Sequence, residues 1–294
     1  MEKKPFPGFS VEFFPPKSEE GNTKLRATWQ KLAALSPEFC SVTFGAGGST
    51  KQGTLATVKA IRADGLDGVP HLSCVGNTRE QIFETIESYR QADIHHMVAL
   101  RGDLPSGMGA IGAFQYASDL IAYIRRTTGD WFHIDVAAYP EIHPQARSGY
   151  DDIRHLKHKF ENGANSAITQ YFYNADAYFH FRDRCAQSGI HQPIIPGIMP
   201  IFSYSRLVRF SDMCGAEIPR YMRRQMEAYG DDADSIRAFG LDVVTAMCER
   251  LLKAGVPGLH FYTMNQSSLV MEICERLALG DHSTPAFSSA SSPT

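Results

Sequence analysis

Three arrangements in this chain are placed to do chemistry: a lone acid among aromatic residues, an arginine and an aspartate around a glycine, and a run of cations in one stretch. The acid is Glu12, within Phe9-Ser-Val-Glu-Phe-Phe-Pro-Pro-Lys17. Strand alternation puts Val11 and Phe13 on one side and Glu12 and Phe14 on the other, and Pro15 and Pro16 stop the strand. Burial disfavours a charged carboxylate, so an acid in apolar surroundings suits proton donation. The plain alternative is an edge strand with Glu12 in water. The pair is Arg101-Gly-Asp103, directly after an apolar run. Arginine suits phosphate, and an aspartate beside a cofactor ring can tune its electron affinity; a loop ion pair is the alternative. The cations are Arg154, His155, Lys157, His158 and Lys159, a face for phosphates or simply a solvated one.

Several chemistries are disfavoured. Gly45-Ala-Gly-Gly-Ser-Thr-Lys51 lacks the G-K-[ST] end of a phosphate loop and reads as a turn. Gly107-Met-Gly-Ala-Ile-Gly112 matches G-x-G-x-x-G but stands away from the preceding strand, so it reads as a loop. There is no H-E-x-x-H, Glu141-Ile-His143 is too little for zinc, and no metal site is expected. No G-x-S-x-G elbow is present. With net charge -3 and no basic stripe, a nucleic-acid partner is not expected. Neither a signal peptide nor a membrane span is expected. The six cysteines are widely spread without C-x-x-C, which suits free thiols in a reducing cytoplasm.

The elements that must position these residues alternate. Strands are expected near residues 9–14, 39–44, 69–75, 94–100, 132–138, 166–170, 193–198 and 258–262, with helices between them and extra helical material over 203–254. Such alternation implies a mostly parallel sheet. Eight units over roughly 280 residues fit a (β/α)8 TIM barrel in the α/β class, a single domain over 1–280; a doubly wound open sheet is the rival. The tail over 281–294 is low in complexity and expected to be disordered. In a barrel the carboxyl ends of the strands carry the active site. Here they carry Glu12, Thr43, His71, Arg101-Gly-Asp103, Tyr139, Gln170, Pro196-Gly197 and Tyr262, while the amino ends show nothing so uniformly polar.

Taken together, and in order, a further set of motifs is specific. They are Ser10-Val-Glu-Phe-Phe-Pro-Pro-Lys17, Ser41-Val-Thr-Phe-Gly-Ala46, Pro70-His-Leu-Ser-Cys74, Val98-Ala-Leu-Arg-Gly-Asp-Leu-Pro105, Ala137-Ala-Tyr-Pro-Glu-Ile-His-Pro144, Gly163-Ala-Asn-Ser-Ala-Ile-Thr-Gln170, Pro196-Gly-Ile-Met-Pro200 and His260-Phe-Tyr-Thr-Met-Asn265. Through them the chain resembles the methylenetetrahydrofolate reductases of the short bacterial type over nearly its whole length.

The resemblance implies a barrel holding noncovalent FAD that reduces 5,10-methylenetetrahydrofolate to 5-methyltetrahydrofolate with NADH or NADPH, by ping-pong kinetics, for methionine synthesis. It implies Glu12 as general acid and Asp103 as a charge beside flavin and pterin. Gln170 and Phe210 would bind folate and nicotinamide, and Arg206 and Gln266 the folate substrate. Flavin contacts would come from Thr43, Phe44, Ala46, His71, Arg101, Gly102, Asp103, Tyr116, Ala117, Tyr139, His143, Ala146, Asp152, His155, His158 and Lys159. His155, His158, Arg206 and Gln266 depart from residues found in better-known relatives, which bears on pyrophosphate and folate-tail binding. A homo-oligomer is expected, and the regulatory domain of long eukaryotic forms, with its feedback by S-adenosylmethionine, is not. The alternatives are another flavin- or pterin-using barrel enzyme, or a folate- or flavin-binding barrel without turnover.

Overall fold

In chain order the elements are β1 (Gly8–Phe13), α1 (Glu19–Ala33), β2 (Cys40–Val42), α2 (Lys51–Ala63), β3 (Gly68–Ser73), α3 (Arg79–Gln91), β4 (His96–Leu100), α4 (Ala117–Thr128), β5 (His133–Ala138) and α5 (Gly149–Glu161). There follow β6 (Ser166–Thr169), α6 (Ala175–Gln187), β7 (Ile194–Ile195), β8 (Gly197–Ile198), α7 (Tyr204–Cys214), α8 (Arg220–Tyr229), α9 (Ala233–Lys253), β9 (Gly258–Tyr262) and α10 (Ser268–Arg276). This is a computed structural model that describes residues 8–44, 51–102 and 112–280. The expected turn at 45–50, most of the loop around 107–112, and the tail over 281–294 lie outside the described residues.

Every strand pairing is parallel, in the order β7-β6-β5-β4-β3-β2-β1-β9-β8. Parallel neighbours need crossover helices, which the alternating sequence supplies. The two ends of this order, β7 and β8, are halves of one strand interrupted at Pro196. Proline has no N–H to give a ladder, so the strand breaks there. One half pairs with β6 and the other with β9, and the ring closes as an eight-stranded barrel. Side-chain hydrogen bonds bridge the seam. The Gly197 N–H donates to Thr169 Oγ1 at 2.9 Å, and the Tyr262 hydroxyl donates to the Thr169 carbonyl at 2.7 Å.

Helix starts follow local chemistry. Ser18 caps α1 by accepting from the Gly21 N–H at 3.1 Å, and Thr78 and Gln81 form a reciprocal capping box on α3. Along β1, Phe9, Val11 and Phe13 are buried in the main apolar cluster shared with the helices. Glu12 alternates to the other face and points into the barrel. It is not on a wet edge, because β1 is paired on both sides, with β2 and with β9.

One expectation about the barrel ends is corrected. The amino ends are not bland: His96, His133, Asp135 and Ser166 meet there, on β4, β5 and β6. They come from three strands, His133 and Asp135 sharing one face of β5. Parallel register alone, with His96 opposite His133 and Asp135 opposite Ser166, assembles them.

Candidate active site

The interior face of β1 and β9 builds the first half of the site. Ser10 lies opposite His260 and Glu12 opposite Tyr262. The Ser10 hydroxyl and His260 Nδ1 are 2.7 Å apart in a hydrogen bond that leaves the other ring nitrogen facing the acid. Glu12 Oε2 lies 3.7 Å from His260 Nε2 and 3.4 Å from His71 Nε2, and its side chain is only 12% exposed. Neither Nε2 atom has a hydrogen-bond partner of good geometry among the described residues. Burial lowers the pKa of His71 and outweighs the pull of Glu12, so its imidazole is held neutral. The Glu12 backbone is fixed as well, its carbonyl accepting from the Thr263 hydroxyl at 2.6 Å.

Above this acid opens a largely apolar cavity of about 510 Å³ at the carboxyl ends of the strands, lined by Phe14, Ile168, Gln170, Tyr171, Met199, Phe210, Tyr262 and Met264 among others. Gln170 closes β6, donating its backbone N–H to the Ala138 carbonyl at 2.8 Å. Phe210 reaches in from α7. The cavity therefore has one acid, two amides (Gln145 and Gln170) and several flat aromatic faces, a set that suits a flat heterocycle with a proton to receive.

A second cavity, of about 620 Å³, adjoins the first. The two share Leu100, Ala137, Tyr139, His143 and Gln145 as a common wall. Its chemistry is different: Arg101, Arg147, Arg154, His155 and Lys159 line it together with Tyr116, Asp151 and Asp152. Helix α5 supplies much of this wall. Ile153, Leu156 and Phe160 are buried on one of its faces, which leaves Asp152, His155 and Lys159 on the cavity flank. Asp152 accepts the His143 backbone N–H at 2.9 Å and so ties the loop after β5 to the helix. Arg101 hydrogen-bonds to Gln145 across the opening. Burial lowers the Lys159 pKa to about 8, an opposing pull from Asp152 being weaker. Gly102, at φ +84, adopts a backbone that disfavours side chains, and a Cβ there would meet Ser73 Oγ at 3.0 Å.

Most of the residues singled out in the sequence converge here. Arg101, Gly102, Tyr116, Ala117, Tyr139, His143, Ala146, Asp152, His155 and Lys159 line the cationic cavity, and Tyr116 and His155 stack with ring centroids 5.6 Å apart. His71 lines the cavity of Glu12 instead. Arg206 and Gln266 stand in a small satellite of about 20 Å³ that shares Phe210, Met199 and Met264 with that cavity. His158 is exposed and lines neither cavity, being one turn beyond Arg154 along α5. Thr43 and Phe44 are half-buried outside both cavities; the Thr43 N–H donates to the Phe13 carbonyl at 2.9 Å. Ala46 and Asp103 lie outside the described residues. His260 and Gln145 had been given no role. Period-two alternation with Tyr262 was the one sequence signal that could have placed His260 inside the barrel.

The family model for methylenetetrahydrofolate reductase matches residues 2–278. The chain is 39% identical over 271 residues to the 5,10-methylenetetrahydrofolate reductases of Escherichia coli K12 and Pectobacterium carotovorum, covering 92% of this chain and 90% of each relative. It is 37% identical over 289 residues to methylenetetrahydrofolate reductase (NADH) 1 of Arabidopsis thaliana, covering 49% of that longer protein. Among solved structures, an uncharacterized Clostridium thermocellum protein that binds two copies of 5-methyl-5,6,7,8-tetrahydrofolic acid superposes with TM-score 0.65 at 16% identity, over 93% of this chain and 94% of that one, a likeness of fold. Matched by the family model over almost its whole length and by bacterial relatives over nearly all of theirs, the chain belongs to the methylenetetrahydrofolate reductase family.

Proposed function

We propose that this enzyme reduces 5,10-methylenetetrahydrofolate to 5-methyltetrahydrofolate as a flavoprotein, with noncovalent FAD and with NADH or NADPH as electron source. The observation that carries this reading is the pairing of the two cavities: a cationic one suited to a diphosphate adjoins, across a shared wall, an aromatic one whose largely enclosed acid is Glu12. The donor set fits the flavin cofactor. Arg101, Arg147, Arg154 and Lys159 would hold its phosphates, and the shared wall at Ala137 and Tyr139 would border its ring. Bound FAD supplies a hydride carrier that separates oxidation of the nucleotide from reduction of the folate, the basis of a ping-pong cycle.

Glu12 gives its proton to N10 of the folate. The bond between N10 and the bridging methylene carbon then breaks with its electron pair on N10, and the N5 lone pair forms an iminium ion ready for hydride. Gln170 orients the pterin through its amide, and Phe210 and Tyr262 offer faces against which it packs. His71, neutral and 3.4 Å from Glu12, lines the acid's surroundings without placing a full positive charge beside it. Asp103 would favour the iminium cation by its charge. The product would supply methyl groups for methionine synthesis. The cytoplasm is the expected site of action, since all six cysteines are unpaired thiols, five of them buried. No helix among the described residues is long and apolar enough to cross a membrane.

The test is anaerobic. Purified protein should be yellow with flavin absorbance, should bleach on mixing with NADH or NADPH, and should recover its colour on addition of 5,10-methylenetetrahydrofolate. A colourless protein that cannot be reconstituted with FAD overturns the reading. The rates with each nucleotide establish which one is preferred.

A further inference from the structure

We propose that the amino-terminal mouth of the barrel is a binding site for one divalent transition-metal ion of the zinc class, held by His96, His133 and Asp135. These residues lie at the opposite end of the strands from Glu12 and play no part in the chemistry described above. His96 opens β4, His133 opens β5, and Asp135 follows two residues later on the same face of β5.

The donor atoms converge. His96 Nε2 lies 2.8 Å from Asp135 Oδ2, His133 Nε2 lies 3.4 Å from Asp135 Oδ1, and one ligating atom from each of the three residues falls within 4.8 Å of the others. Ligand atoms in a tetrahedral zinc site with bonds of about 2.0–2.1 Å are about 3.3 Å apart. The His133–Asp135 separation is close to that value and the His96–Asp135 hydrogen bond is shorter, so the side chains would spread around an ion. The two imidazoles stand nearly perpendicular, with centroids 4.7 Å apart, which aims both Nε2 atoms at the carboxylate from different directions. Two imidazoles and a carboxylate are the donors of catalytic and auxiliary zinc sites, and imidazole also suits cobalt and nickel.

The surroundings complete the site. Ser166 hydrogen-bonds to Asp135 Oδ1 and so orients the carboxylate; its 2.8 Å hydrogen bond to His133 Nε2 is the contact an ion would replace. Phe39 packs edge-on against His96 at 4.6 Å, fixing the ring. The cluster faces a cavity of about 340 Å³ that also contains Glu38 and Ser10, leaving room for water in the remaining coordination position. Asp135 is buried, whereas His133 is exposed enough for an ion to enter from that side. An ion here would tie β4 to β5 and stabilise the barrel at the end remote from turnover.

The competing account is a closed hydrogen-bond network with no affinity for metal, and the experiment separates the two. The full chain is treated with chelator, dialysed and titrated with cobalt(II), then with zinc(II). One equivalent of cobalt should bind with the visible d–d bands of a low-coordinate nitrogen–oxygen site, zinc should displace it, and zinc should raise the thermal midpoint. The substitution His133→Ala, at an exposed position that spares the core, should weaken binding at least about 100-fold and abolish the thermal shift. His96→Gln should do the same. His191→Ala, at an exposed histidine elsewhere, should leave both unchanged. Absence of the cobalt bands in the wild-type chain, or binding that survives His133→Ala, overturns the proposal.

Discussion

His71 Nε2 stands 3.4 Å from Glu12 Oε2 inside the barrel, with His260 Nε2 at 3.7 Å on the other side of the same oxygen. One carboxylate oxygen is thus bracketed by two imidazoles at the floor of an aromatic cavity.

Replacing Glu12 by Gln should separate the half-reactions. The amide keeps the shape but has no acidic proton, and general acid catalysis is worth about 10²–10⁴ in rate. Folate reduction should fall by at least that factor, while bleaching of the flavin by NADH or NADPH stays within about threefold of wild type. Single-turnover stopped flow on each half-reaction reads both, and equal loss in the two would remove Glu12 from its assigned role.

Cofactor affinity should depend on pH through Lys159. Its pKa in the folded protein is lowered to about 8, so the ammonium is lost as pH rises through that value. A diphosphate favours the charged form, and the affinity of apoprotein for FAD should therefore decline between about pH 7.5 and 9. Lys159→Arg keeps the charge throughout and should flatten the decline. Fluorescence titrations of FAD at several pH values check this, and parallel profiles for the two proteins would contradict it.

The neutral His71 predicts sensitivity to acid. Its folded-state pKa is depressed by burial, whereas in the unfolded chain it returns to about 6.5. Below about pH 6.5 the unfolded state binds a proton that the folded state does not, so stability falls as pH falls through that point and is unaffected above it. Urea denaturation at pH 7.5 and pH 5.5 should show a loss for wild type that is smaller in His71→Asn. Identical losses would mean that other groups carry the acid response.

Gly197 is the tightest point of the barrel seam. A Cβ there would lie 2.1 Å from the Thr169 carbonyl oxygen and 2.7 Å from the Tyr262 ring. Gly197→Ala should cost about 1–3 kcal/mol of stability by overpacking. It should also raise the KM for folate, because the displaced Tyr262 ring lines the Glu12 cavity. Calorimetry and steady-state kinetics together test this, and unchanged values of both would show that the seam relaxes freely.

The order of strands and helices was legible from the sequence because each element carries its own signal: apolar runs, capping residues and turn residues act over a few neighbours. Ser18 caps α1 and Thr78 caps α3, and the eight expected strand positions are all occupied. The family was legible too, because its motifs are contiguous. What each side chain faces was not. Glu12 read equally well as a solvated edge residue, and only pairing of β1 with both β2 and β9 turned it inward. His260 reached Glu12 across a separation that no local pattern encodes, and the split of the seventh strand at Pro196 became a closure only when its halves found β6 and β9. The cluster of His96, His133 and Asp135 arose in the same way, from a distant histidine brought to the His133–Asp135 pair by strand register. Short-range chemistry along the chain determines which elements form. Parallel register, set by burial of both faces of the sheet, decides which of their polar residues meet.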